Sequence, residues 1–145
     1  MNLKMTKQER EAFLADLHVG VISLTRADRG PLTVPIWYDY EPGGYVWFVT
    51  ERTSAKGKLL GEGAIVTMCA QTEEPPSYKY VTVEGPVVSI EDADLERDIR
   101  PIAIRYMGKE MGDMYADSTG DKGQVRVTMR CEKWATMDYG KMGDA

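Results

Sequence analysis

Between residues 19 and 90 the chain alternates short β-prone runs with turn-forming clusters, a pattern that points to an antiparallel meander. Residues 19–25, 32–40, 45–50, 64–71 and 78–90 are rich in Val, Ile, Thr, Tyr and Trp. Asp28 and Gly30, then Glu41-Pro42-Gly43-Gly44, then Glu74-Pro75-Pro76-Ser77 separate them. Glycine reaches backbone angles closed to other residues, and proline has no N–H for a strand ladder, so such clusters end strands and reverse the chain. The connections suit hairpins rather than crossover helices, and no GxGxxG follows the first run, which argues against a dinucleotide-binding parallel sheet. Gly85-Pro86 interrupts the longest run and marks a bulge or bend of the kind that turns a barrel corner. A sixth run, residues 124–134, places Val125, Val127, Met129 and Cys131 on one face and Arg126, Thr128 and Arg130 on the other. The expected fold is mainly β with short helices: a six-stranded antiparallel closed or split barrel forming one domain over residues 1–145.

Helical signals flank the strands. Thr6 followed by Glu9 resembles a capping box, and Phe13, Leu14 and Leu17 recur at helical spacing, giving a helix over residues 6–17. Residues 51–63, with Ser54, Lys56, Gly57, Lys58, Leu59 and Leu60, suit a turn leading into a short helix. Over residues 91–118, Leu95, Ile99, Ile102 and Tyr106 form one stripe, Pro101 kinks or splits the helix, and residues 108–116 make another. Asp92, Asp94 and Glu96 suit the positive end of a helix dipole, and His18 suits the negative end of the first helix. Residues 118–123 read as a polar loop and residues 135–145 as a partly loose tail. The net charge of -5 argues against a nucleic-acid binder. Cys69 and Cys131 lie far apart without a CxxC or His/Cys cluster. Buried free thiols in a reducing cytoplasm are therefore expected, and no metal site. No apolar signal core or membrane span is evident.

The run Tyr45-Val46-Trp47-Phe48-Val49-Thr50, continued by Glu51-Arg52-Thr53-Ser54-Ala55-Lys56-Gly57-Lys58, ends a strand in a hydroxyl and presents hydroxyls and cations beside a helix start. Such groups neutralise phosphate jointly, although alone the run reads as a solvated turn. In its order with Thr33-Val34-Pro35-Ile36-Trp37 and Tyr80-Val81-Thr82-Val83-Glu84-Gly85, it resembles the cofactor segment of the FMN-binding split-barrel superfamily, which includes pyridoxamine phosphate oxidase and the flavin/deazaflavin oxidoreductases. The resemblance spans about residues 13–90, with residues 124–134 as a last strand. It implies a PNPOx-like split barrel in which Val49, Thr50, Ser54 and Lys56 grip the cofactor phosphate. It further implies that Val34, Pro35, Ile36 and Trp37 lie against its ring, that Tyr80 stands near it, and that Trp134 reaches the cofactor of a partner subunit. Ala55 replaces the oxidase's Arg and Tyr80 its Gln, and its Arg- and His-containing substrate motif is absent after Arg130. The short deazaflavin-dependent group is the nearer likeness. Coenzyme F420, with a phosphodiester and a glutamate tail, suits Arg52, Lys56 and Lys58; FMN is the alternative.

The resemblance therefore implies a cytoplasmic homodimeric reductase passing a hydride from reduced F420 to a conjugated small molecule, with the hard chemistry in the cofactor. No catalytic side chain is assigned; a tyrosine or water protonates the product, Tyr80 being the candidate. Rival readings are an FMN-dependent oxidoreductase of the same fold and a non-catalytic carrier of F420 or haem. Trp37 and Trp47 suit core or dimer contacts as well as ring stacking, and the methionines of residues 107–114 suit an adaptable apolar lining. Residues 36–38 and 45–48 offer apolar area for an isologous interface.

Overall fold

The computed structural model describes residues 1–143. Six continuous chain segments build the barrel wall, at the places the β-prone runs predict. Two of them are kinked, so eight strands result: β1 Gly20–Leu24, β2 Leu32–Ile36, β3 Tyr38–Tyr40, β4 Tyr45–Glu51, β5 Ile65–Gln71, β6 Lys79–Asp92, β7 Gln124–Arg130 and β8 Lys133–Asp138. All pairings are antiparallel, in the order β2-β1-β5-β6-β7-β4-β3, and β8 also pairs with β6. β2 and β3 end that order on opposite sides yet are joined by Trp37 alone, so the curled sheet comes round on itself. Tyr106 holds this kink. Its hydroxyl accepts from the Tyr38 N–H at 3.1 Å and lies within donating distance of the carbonyls of Tyr38 (3.0 Å) and His18. It thus engages backbone groups at the point where the strand breaks.

β6 carries the other corner. Residues 79–84 pair with β8 and residues 87–92 with β7, with a register shift between Val87 and Ser89. The β7–β8 junction crosses directly over Gly85, where an added Cβ would lie 1.6 Å from the Arg130 carbonyl oxygen. Glu132 N–H donates to the Glu84 carbonyl at 2.9 Å and fastens the crossing. The bend expected at Gly85-Pro86 is therefore a close approach of two backbones, which requires glycine.

Inward side chains of alternate residues fill the barrel. Ile22, Phe48, Met68, Val81, Val83, Val127 and Met129 are fully buried, each stabilising the fold by roughly 1.5–3 kcal/mol. Helix α1 (Lys7–Ala15) plugs one end with Phe13 and Leu14. Its capping box forms, with Thr6 Oγ1 accepting from Glu9 N–H (3.1 Å) and Glu9 Oε1 from Thr6 N–H (2.8 Å). The Tyr38 hydroxyl donates to the Leu14 carbonyl at 2.7 Å, and burial raises its pKa. The helix stops short of Leu17, which is exposed. The His18 ring stacks on Phe13 at 4.2 Å, and desolvation lowers its pKa while its hydrogen bond to the Phe13 backbone, in the last turn of α1, works the other way.

The tail is also better ordered than its composition suggests. β8 runs to Asp138 and a 3-10 turn follows over Tyr139–Gly143. Asp138 N–H donates to Leu3 O (2.8 Å) and Lys141 pairs with Glu9 (2.7 Å), so partners 132 and more residues away hold it. Residues 144–145 of the expected tail lie outside the described residues. Both thiols are free and partly buried, and burial pushes Cys131 up to about 11.

A helical cover lies outside the barrel. After a π-helical turn over Leu95–Ile99 comes α3 (Arg100–Met107), then α4 (Lys109–Thr119). Pro101 sits in the first turn of α3, directly after the π-helical turn that leads into it. Gly108, at φ +80°, breaks the two helices apart, and α4 continues past residue 116 until Gly120, at φ +65°. Gly112 lets the helices touch, since its Cβ would come 2.6 Å from Ile104 Cα.

Candidate ligand site

The site begins with a tight turn. Thr50 points inward and is buried; its hydroxyl lies 3.2 Å from that of Ser54. Ser54 Oγ donates to the Glu51 carbonyl (2.7 Å) and accepts from Gly57 N–H (3.1 Å), capping the short helix α2 (Ala55–Leu59). Gly57 is obligatory, because its Cβ would meet the Glu51 carbonyl oxygen at 2.2 Å. Lys56 follows in that helix.

Between this turn, the outer barrel wall and the helical cover lies a cavity of about 300 Å³. Its floor is Pro35, Ile36, Trp37 and Val49; its roof is Ile99, Ile102 and Ala103 with Tyr115 and Thr119 of α4; Val19, Lys56 and Gln124 complete the rim. Trp37 is held from the side, stacked parallel on Tyr106 (5.1 Å, 4°) and tilted against Tyr115 (5.7 Å, 55°). Apolar walls with a few converging polar groups are the usual make-up of a small-molecule site, and this volume is at the small end of the usual range. The mouth is open, since Val19 and Tyr115 are 50% and 42% exposed.

The roof is locked down by charge. Arg100 donates to Glu96 (2.7 Å), Asp113 (2.9 Å) and Asp117 (2.6 Å), tying α3 to α4. Asp98, fully buried, accepts from Arg97 and Arg126 (each 2.8 Å) and from the Asp94 N–H (2.9 Å). Burial works to raise the Asp98 pKa, but those hydrogen bonds outweigh it and hold the carboxyl below its ordinary value. Arg126 also covers Trp47 at 4.0 Å. Arg105 donates to the carbonyls of Ala15 (3.0 Å) and Asp16 (2.9 Å), joining the cover to α1.

Of the residues singled out in the sequence, Pro35, Ile36, Trp37, Val49 and Lys56 come together at the cavity. Thr50 and Ser54 build the turn, their hydroxyls engaged in it, and line no part of the cavity. Val34 packs toward the core. Arg52 is paired with Asp92 (3.2 Å), and neither it nor the exposed Lys58 lines the cavity. Tyr80 lies on the outward face of β6, opposite Gln71 and Met137 and away from the lining residues. Trp134 lies under α1, with Arg10 over its ring at 4.5 Å and Tyr40 edge-on at 6.3 Å. Sequence reasoning missed Val19, Tyr115, Thr119 and Gln124; the Ile99–Ile102–Tyr106 stripe was the one signal that a helix covers something. Among the described residues, no group of three or more His, Cys, Asp or Glu could hold a metal ion, and no helix is long and apolar enough to cross a membrane.

The sequence matches the family described as pyridoxamine 5'-phosphate oxidase over residues 6–138. No curated protein matches it. Solved structures share the fold. A conserved hypothetical protein of Mycobacterium tuberculosis superposes with a TM-score of 0.77 at 20% identity, over 97% of this chain and 89% of that one. An F420 reductase gives 0.70 at 21% identity, over 86% and 94%. An FAD-binding protein of Mycobacterium smegmatis gives 0.63 at 14%, over 92% and 97%.

Proposed function

The chain belongs to the pyridoxamine 5'-phosphate oxidase family of flavin-binding split barrels, and from that premise we propose that it is a coenzyme F420-dependent reductase of a conjugated small molecule. The observation that carries this reading is the roofed apolar cavity with Lys56 at its rim. When bound, the cofactor supplies or accepts a hydride; the chain supplies the surroundings. Pro35, Ile36 and Trp37 give a flat wall for a ring, Lys56 neutralises an anionic group, and Ile99, Ile102 and Ala103 keep water from the ring. Arg52 and Lys58, on the same turn segment, suit the longer anionic tail of F420, and the likeness to a solved F420 reductase supports the same choice. The likeness to an FAD-binding protein favours a second reading, a flavin in the same cavity.

Titration of the protein with each cofactor, followed through tryptophan fluorescence, separates the readings. Saturable quenching by F420 is expected; strong quenching by FMN with none by F420 overturns the choice of cofactor. Lys56→Ala is expected to weaken F420 binding about 10- to 100-fold, the worth of one charge-assisted contact. An unchanged dissociation constant would remove Lys56 from the site.

The chain is also proposed to act as a homodimer. Within residues 36–38 and 45–48, Ile36, Tyr38, Val46 and Phe48 are spent on the core, while Tyr45 is 48% exposed and Trp37 and Trp47 are partly buried. The outward face of β1, β5 and β6 also exposes Val21, Ile65 and Val88, a further candidate isologous surface. Light scattering at micromolar concentration should give twice the 16.3 kDa chain mass; a monomer mass contradicts it.

A further inference from the structure

Tyr106 joins the two sides of the cavity. On α3 it follows the roof residues Ile102 and Ala103 by four and three positions, so it lies on the helix face they share. Its ring stacks parallel on Trp37 of the floor (5.1 Å, 4°), and the Arg105 guanidinium lies 5.8 Å over that ring. Trp37 is the one residue between β2 and β3. β3 ends the sheet order, so its outer edge has no strand beside it among the described residues. The Tyr106 hydroxyl stands where that strand would pair. It accepts from the Tyr38 N–H (3.1 Å) and lies within donating distance of the Tyr38 carbonyl (3.0 Å), so it meets both backbone groups of a residue on a free edge. The His18 carbonyl, next in sequence to Val19 of the rim, is its third neighbour. Burial raises the Tyr106 pKa, so the hydroxyl keeps its proton at neutral pH.

We infer that Tyr106 is a positioning residue for the ligand ring: through its stack and its hydroxyl bonds it sets the plane of Trp37, and it acts on affinity only through that indole. The role rests on the reductase reading above, in which Trp37 walls the ring. Trp37 lines the cavity and Tyr106 does not, so any effect of Tyr106 on a bound ring passes through its neighbour. Of the two tyrosines packed on the indole, Tyr115 is tilted by 55° and only Tyr106 lies parallel to it. An indole fixed before binding offers a flat ring a ready wall. An indole freed from Tyr106 has to be ordered at the moment of binding, and that ordering weakens affinity.

Fluorine NMR of the full chain labelled with fluorotryptophan gives one resonance for each of the three tryptophans, and Trp37→Phe identifies that of Trp37. In the ligand-free native chain the Trp37 resonance is expected to be as narrow as those of Trp47 and Trp134; one broadened by exchange overturns the role without any substitution at Tyr106. Tyr106→Phe, which keeps the ring and removes the hydroxyl, is expected to shift and broaden the Trp37 resonance and to leave the other two in place. A Trp37 resonance unmoved in Tyr106→Phe, or all three moved alike, overturns the assignment. The F420 dissociation constant is expected to rise about 10-fold in Tyr106→Phe, the worth of a buried hydrogen bond. The double variant of Trp37→Phe with Tyr106→Phe should bind no more weakly than Trp37→Phe alone, and losses that add overturn action through Trp37. FMN takes the place of F420 in this cycle if it alone binds. Absence of binding by both removes the reductase reading, whereas the ligand-free spectra still decide whether Tyr106 sets Trp37.

Discussion

Gly85→Ala is expected to destabilise the protein by more than about 3 kcal/mol, beyond the ordinary cost of overpacking, because the new methyl meets backbone rather than a side chain that can turn away. The Cβ would lie 1.6 Å from the Arg130 carbonyl oxygen and 2.8 Å from its carbon. Relief requires the β7–β8 junction to lift off β6, which breaks the Glu132–Glu84 backbone bond and the corner where β6 exchanges one neighbour for the other. In thermal unfolding this amounts to a fall of more than about 10 °C for a chain of this length, or failure to accumulate as folded protein. Gly30→Ala is the matched control: a Cβ there meets nothing within 4 Å and its backbone needs no left-handed angle. Equal melting temperatures for Gly85→Ala and Gly30→Ala would contradict the corner described for β6.

Asp98→Asn should have the second-largest effect, about 3 kcal/mol at neutral pH, in the range for removing one member of a buried ion pair. Most of that loss falls on Arg126, which is largely buried; Arg97 is half exposed and screened by water. The effect depends on pH in a defined direction. A carboxyl whose pKa is lowered by folding contributes stability above its unfolded value, about 3.9, and that contribution disappears as pH falls through the lower folded value. Urea unfolding of the native chain and Asp98→Asn should therefore differ most near neutrality and converge in acid. A difference constant from neutral pH to about pH 3 would show that the charge of Asp98 is not what holds the roof.

The barrel was legible because hairpin spacing and two-residue alternation are local signals. Residues 64–71 and 124–130 could be read without knowing their neighbours. The kinks were partly legible: Gly85-Pro86 announces one, but the break at Trp37 depends on a hydroxyl from Tyr106, 68 residues on. Pro35–Trp37, Val49 and Lys56, grouped in the sequence by the order of segments, line one cavity. Its roof was not legible, because nothing local ties Tyr115 or Thr119 to strand residues far earlier in the chain. Ser54 illustrates another limit: a serine before a lysine suits a phosphate or a helix cap, and the bonds of its hydroxyl to Glu51 and Gly57 could not be read locally. The tail looked loose for a similar reason, since its partners Leu3 and Glu9 lie at the other end of the chain.

The cavity between the barrel wall and α3–α4 is proposed to take the cofactor ring. A crystal structure of the protein grown with oxidised F420 tests it most directly. Ring density is expected against Pro35–Trp37 beneath Ile102 and Ala103, with the anionic tail leaving past Lys56. Ring density elsewhere, for example on the outer face of β6 beside Tyr80 with the cavity holding only solvent, would contradict it.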